Sequence, residues 1–113
     1  MESKAKRTLV KSAPELWELA DDEARMQAWM AGLTGSGAPA AVEVLEREPG
    51  RLLAWRTTDP GAKARIAIEL AASGFGTAVN ITAEHTRPDP GEAIAALEGL
   101  LDELGSPERR PFA

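Results

Sequence analysis

The sequence contains no cysteine. Disulfides, thiolate metal sites and cysteine nucleophiles are therefore excluded, and packing alone must hold the fold. A single histidine, His85, removes any metal site built on two imidazoles. No apolar run approaches the roughly 18 residues of a membrane span, because charged residues or prolines interrupt each one. No dense basic stripe is present either. The 13 lysines and arginines are scattered among 18 acidic residues, for a formal net charge of -5, and Lys4, Lys6, Arg7 and Lys11 form only a small cluster. Neither nucleic acid nor a membrane is an expected partner. The basic N-terminus leads into an alternating segment, not an export signal, so a cytoplasmic location is expected. Repeats and low-complexity tracts are also lacking. At 113 residues, 43% of them hydrophobic, the chain reads as one domain over 1–113, with an ordered core of about 5–105 and a tail at 106–113.

What is present is a definite order of elements. Residues Arg7 to Lys11 alternate loosely and end at Ser12-Ala13-Pro14-Glu15, a strand entering a capped helix. Ser12 can accept an N–H of the first turn while Glu15 reaches back to the N–H of Ser12. The helix is predicted to begin at Ala13 and to bury Leu16, Trp17, Leu19 and Ala20. Asp21-Asp22-Glu23 ends it and opens a second helix, where acidic side chains complement the partial positive charge of unpaired N–H groups. In that helix Met26, Trp29, Met30 and Leu33 fall at i, i+3, i+4 and i+7, one apolar stripe.

After a Gly/Ser/Ala/Pro break at 35–39 the period becomes two. Strands are predicted over 40–48 and 51–58, from Ala64 onward, and over 77–86. Pro49-Gly50, Asp59-Pro60-Gly61 and Ser73-Gly74-Phe75-Gly76 separate them. Connections this short imply an antiparallel meander, since a parallel crossover needs a dozen or more residues. Asp89-Pro90-Gly91-Glu92 then opens the last and longest helix. Its predicted stripe is Ile94, Leu97, Leu101 and Leu104, flanked by Ala93 and Leu100, with Glu92, Glu98, Asp102 and Glu103 in water.

A sheet with one apolar face and a long amphipathic helix must bury those surfaces against each other, so the expected class is α+β, a twisted antiparallel sheet gripping the C-terminal helix. Local motifs point the same way. Ser12-Ala13-Pro14-Glu15-Leu16-Trp17-Glu18-Leu19, Asp21-Asp22-Glu23 with Met26 and Trp29-Met30, Val42-Glu43-Val44-Leu45-Glu46 with Arg51-Leu52-Leu53-Ala54-Trp55, and Ile66-Ala67-Ile68-Glu69-Leu70 with Gly74-Phe75-Gly76-Thr77-Ala78-Val79 follow one another in a familiar order. Together they resemble the START-related helix-grip superfamily, or SRPBCC, over about residues 7–104. That superfamily includes polyketide cyclases, plant allergens and activators of a heat-shock chaperone ATPase. The resemblance implies a gap between sheet and C-terminal helix that takes a small hydrophobic molecule. The chain departs from the pattern between Leu33 and Ala40, where the family has additional strand sequence, so a shorter sheet and a smaller cavity are expected.

Candidates for chemistry are few. His85 lies in phase with Val79, Ile81 and Ala83 and is expected to look inward at one end of the sheet, as hydrogen-bonded structure or as a base. Glu46 lies in phase with Val42 and Val44, but a bulge at Leu45 would turn it to solvent. Gly74-Phe75-Gly76 is a turn, since no helix follows it to form a phosphate loop. The apolar candidates carry more weight: Trp17, Met26, Trp29, Met30 and Trp55, with His85, are the expected wall of a ligand pocket. The same residues also read as core filling.

Three functions follow. The first is a non-catalytic binder of a small hydrophobic or aromatic ligand, with no cofactor and no metal. The second is a protein-interaction module with a filled core, able to form a homodimer through an exposed strand edge. The third is a cyclase- or dehydratase-like enzyme using His85 or Glu46.

Overall fold

The structure is a computed structural model that describes residues 2–35, 41–58, 63–74, 76–85 and 90–105. Eight elements follow in the order β1 (Glu2–Leu9), α1 (Ala13–Ala20), α2 (Glu23–Thr34), β2 (Val42–Glu48), β3 (Leu52–Thr57), β4 (Ala64–Ser73), β5 (Gly76–His85) and α3 (Pro90–Gly105). The strands form one sheet in the order β1-β5-β4-β3-β2, antiparallel at every pairing. The meander is β2 to β5, and β1 closes its far side by pairing with the last strand.

Local chemistry explains the boundaries. The Glu15 amide donates to Ser12 Oγ at 3.3 Å and the Ser12 amide donates to Glu15 Oε1 at 3.4 Å, the reciprocal cap expected of this tetrapeptide. Asp22 caps α2 by accepting from the amides of Ala24 at 2.9 Å and Arg25 at 3.4 Å. Between β2 and β3 the Arg51 amide donates to the Glu48 carbonyl at 2.9 Å, closing a turn in which Gly50 sits at φ 75°, a conformation open to glycine without strain.

Alternation along each strand sorts the residues onto two faces. Leu53, Trp55, Ile66, Ile68, Leu70, Val79, Ile81 and Ala83 are buried on the inner face. Helices α1, α2 and α3 cover it, α3 lying against β1 and α2, and α2 reaching across β4, β3 and β2. The outer face carries Lys4, Lys6, Glu43, Glu69 and Glu84.

Beyond shifts of one or two residues at strand ends, one strand and one helix face differ from the sequence expectation. The first strand, expected over 7–11, runs over Glu2–Leu9 and pairs in register from Glu2↔Glu84 to Leu9↔Thr77. Its lysines disguise it, because they occupy the outer face while Ser3, Ala5 and Leu9 face inward. In α3 the buried stripe is Ala93, Leu97, Leu100, Leu101 and Leu104, while Ile94 is 43% exposed. The stripe is thus rotated toward Ala93 and Leu100, and Ile94 lies on its rim. All but Gly35 of the break at 35–39, the turn Asp59-Pro60-Gly61, Phe75, Thr86, the Asp89 cap and the tail at 106–113 fall outside the described residues.

Candidate functional site

Helix α2 and strand β3 bring the aromatic candidates together. Trp29, Met26 and Met30 project from one face of α2 at helical spacing, and all three are buried. Trp55, fully buried, rises from the centre of the inner face between Val44 of β2 and Ile66 of β4. The Trp29 and Trp55 ring centroids are 6.0 Å apart, within the range of interacting aromatic pairs, with planes tilted by 36°. Trp17, on α1, is half-buried and packs against the rim of the same cluster. Five of the six expected wall residues therefore share one apolar body, roofed by helices and floored by the sheet.

The two indoles differ in their polar ends. Trp29 Nε1 donates to Glu103 Oε2, which ties α2 to the last turn of α3. Glu103 is exposed, as the sequence pattern predicts, but its bond to Trp29 escapes sequence reading because the partner lies on another helix. Trp55 Nε1 is buried and finds no hydrogen-bond acceptor among the described residues.

The sixth candidate, His85, sits apart. It is 3% exposed at the end of β5, paired across the ladder with Ala64. From Trp55 it is two strands and one inner-face row away, about 12 Å by strand spacing and rise. Its Nε2 lies 2.9 Å from Ser3 Oγ, and Ser3 is itself 5% exposed. Ser3 pairs in register with Ala83, so this is a diagonal cross-strand bond on the inner face. A hydroxyl and an imidazole at this distance form the basic unit of nucleophilic catalysis, but both groups are enclosed, and here they latch β1 to β5. Ser3 escapes sequence reading because the strand containing it reads as a basic tail.

Glu46 lies elsewhere. The β2–β3 register slips between Val44 and Glu46, leaving Leu45 as a bulge and turning Glu46 outward beside Ala54. Glu46 is exposed. His85 and Glu46 thus occupy opposite faces of the sheet and cannot act on one substrate as an acid–base pair. Among the described residues no three His, Asp or Glu side chains gather as metal ligands. The outer face holds an open depression of about 400 Å³ over Ala67, bordered by Lys4, Lys6, Glu69, Asn80 and Thr82. It lies on the side of the sheet away from the tryptophans.

Ion pairs fasten the periphery. Arg7 donates to Asp102 Oδ1 and Glu98 Oε2, each at 2.6 Å, joining β1 to α3. The bond to Asp102, with that to Glu98, holds the guanidinium above its ordinary pKa. Arg47 reaches Asp21 at 3.0 Å and pins the end of β2 to the end of α1.

Comparison with solved structures gives the architecture its name. DR_A0006 from Deinococcus radiodurans superimposes with a TM-score of 0.65 at 18% identity, covering 92% of this chain and 97% of that one. The fold is a helix-grip. The Aha1 dimer from Colwellia psychrerythraea matches with a TM-score of 0.66 at 14% identity, over 93% of this chain and 96% of that one. CalU16 from Micromonospora echinospora gives 0.63 at 17% identity, over 94% and 76%. No family model matches the sequence, and no curated protein matches it. At these identities the likeness is one of fold. Among the described residues, no helix of this helix-grip chain is long and apolar enough to cross a membrane.

Proposed function

We propose that this helix-grip protein is of the SRPBCC type and binds a small hydrophobic or aromatic molecule between its sheet and its C-terminal helix. The observation that carries the reading is the Trp29–Trp55 pair, its rings 6.0 Å apart, set beside the Met26 and Met30 side chains in a body enclosed by α2 and the inner face of the sheet. Flat indoles give a planar ligand a surface to stack on, and unbranched thioethers repack around its outline at low cost. Likeness to CalU16 and to the Aha1 structure supports the architecture that such a site requires.

The test is titration with fatty acids, flavonoids and aromatic polyketides, read by tryptophan emission and by melting temperature. A ligand present at a hundred times its Kd adds about 2.7 kcal/mol to stability. The reading predicts a class of ligand that shifts both signals. A panel that moves neither would overturn it in favour of a filled core.

A second reading rests on the edge of the sheet. Strand β2 ends the strand order and, among the described residues, pairs only with β3, and one fold neighbour was solved as a dimer. Self-association would run through this edge. The bulge at Leu45 and the exposed Glu43, Glu46 and Glu48 work against it, being devices that discourage strand pairing. Light scattering on the eluting protein decides: a strict monomer removes the second reading.

A further inference from the structure

We infer that the Trp55 indole N–H is the hydrogen-bond donor of the binding site, and that the ligand presents a carbonyl or comparable oxygen to it. The inference rests on the proposed function and adds to it the chemical class of the ligand. Trp55 has no exposed surface, yet among the described residues its Nε1 meets no acceptor, neither a carbonyl, nor a carboxylate, nor a methionine sulfur. Buried polar groups are satisfied in the great majority of cases, and a lone donor in an apolar body is costly because it has given up water for nothing. Its surroundings explain why no neighbour answers. On the inner face Trp55 stands among Leu53, Val44 and Ile66, and the helix above contributes Met26, Trp29 and Met30. Those groups supply contact area and no strong acceptor.

The contrast with Trp29 is informative. That indole lies in the same cluster and its N–H is taken up by Glu103, so it is committed to holding α2 against α3. Trp55 has the same group, more deeply buried than that of Trp29, and among the described residues nothing takes it up. A site lined by apolar side chains with one placed donor is how small-molecule pockets fix orientation: area holds the ligand and the polar contact selects its pose. An aromatic ketone satisfies both requirements, its ring against the indoles and its oxygen toward Trp55 Nε1.

The experiment compares 2-acetylnaphthalene with 2-isopropenylnaphthalene, which has nearly the same shape with a methylene in place of the oxygen. Affinities are measured by fluorescence titration of the full chain, and the indole N–H resonances are followed in a proton–nitrogen spectrum. The inference predicts that the ketone binds on the order of tenfold more tightly, and that the Trp55 N–H resonance moves downfield with the ketone only. In Trp55→Phe the preference for the ketone should disappear. Equal binding of both probes by the wild-type protein would overturn the inference while leaving a hydrophobic pocket in place. So would a ketone preference with an unmoved Trp55 resonance. Binding of neither probe would remove the pocket and the donor's role together. The wild-type comparison stands by itself if Trp55→Phe does not fold.

Discussion

Replacing Leu101 by alanine, with Ile94→Ala as its partner, separates the buried stripe of α3 from its rim. Both leucine-sized side chains lie on one helix, and the sequence pattern places them in one stripe. Leu101 has no exposed surface whereas Ile94 is 43% exposed. Leu101→Ala removes three carbons from the interior, about 2.4 kcal/mol in transfer free energy alone. The space left behind faces a packed body that collapses only partly, which brings the expected loss to about 3–4 kcal/mol. Against the 5–15 kcal/mol typical of a folded domain that is a large fraction, and it corresponds to a fall in Tm of roughly 12–16 °C. Ile94→Ala leaves no enclosed void and removes atoms that already touch water, so about 1 kcal/mol is expected. Thermal unfolding followed by circular dichroism, with urea titration to obtain free energies, measures both. Equal destabilisation by the two substitutions, or a Tm unmoved by Leu101→Ala, would refute the packing of α3 described above.

Gly76 opens β5 where its Cα lies under β1: a Cβ there would stand 2.0 Å from the Leu9 carbonyl oxygen, so Gly76→Ala should cost about 1–3 kcal/mol or more and raise amide exchange along β1. Unchanged exchange in β1 would count against that contact. Ser3→Ala removes the buried partner of His85 Nε2 and should destabilise by about 1–3 kcal/mol, measured by urea unfolding; a neutral result would show that the latch contributes nothing. The Glu48 carboxyl, held below its ordinary pKa first by its hydrogen bond to Arg51 and then by that residue's charge, should titrate in carbon-detected NMR at lower pH than in the Arg51→Ala variant. Because the folded pKa is the depressed one, the stabilisation is complete above the unfolded value and fades as pH falls through the folded one. Coincident titrations in the two proteins would contradict the pair.

Much of this architecture is legible in the sequence because its signals are local. The Ser12–Glu15 box, the Asp22 cap and the Pro49-Gly50 turn each fix their own boundary by hydrogen bonds spanning a few residues. Alternation in β4 and β5 predicts which residues face inward, and the bulge that turns Glu46 outward is foreseeable from the clash between its charge and the inner face of Val42 and Val44. What escapes depends on partners distant in sequence. Ser3 gains meaning only from His85, 82 residues away, and Glu103 only from Trp29, 74 residues away. Lys4 and Lys6 hide a strand because pairing with β5, not local pattern, orders those residues. The α3 stripe is misread by one side chain because a helix pattern defines a face to within a residue, while the packing of α1, α2 and β1 selects its centre. For the candidate site, residue type and phase suffice to gather Trp29, Trp55, Met26 and Met30, and the distance of His85 from them requires the strand order.

The central claim is that a small aromatic molecule is held among the α2 methionines and the paired indoles. Its most direct test is the pattern of magnetisation transfer between bound 2-acetylnaphthalene and protein methyl groups labelled at methionine, alanine and threonine. The account predicts intermolecular NOEs from the naphthalene protons to the Met26 and Met30 methyls. A bound ligand whose NOEs reach Ala67 and Thr82 on the outer face, and neither methionine, would contradict it.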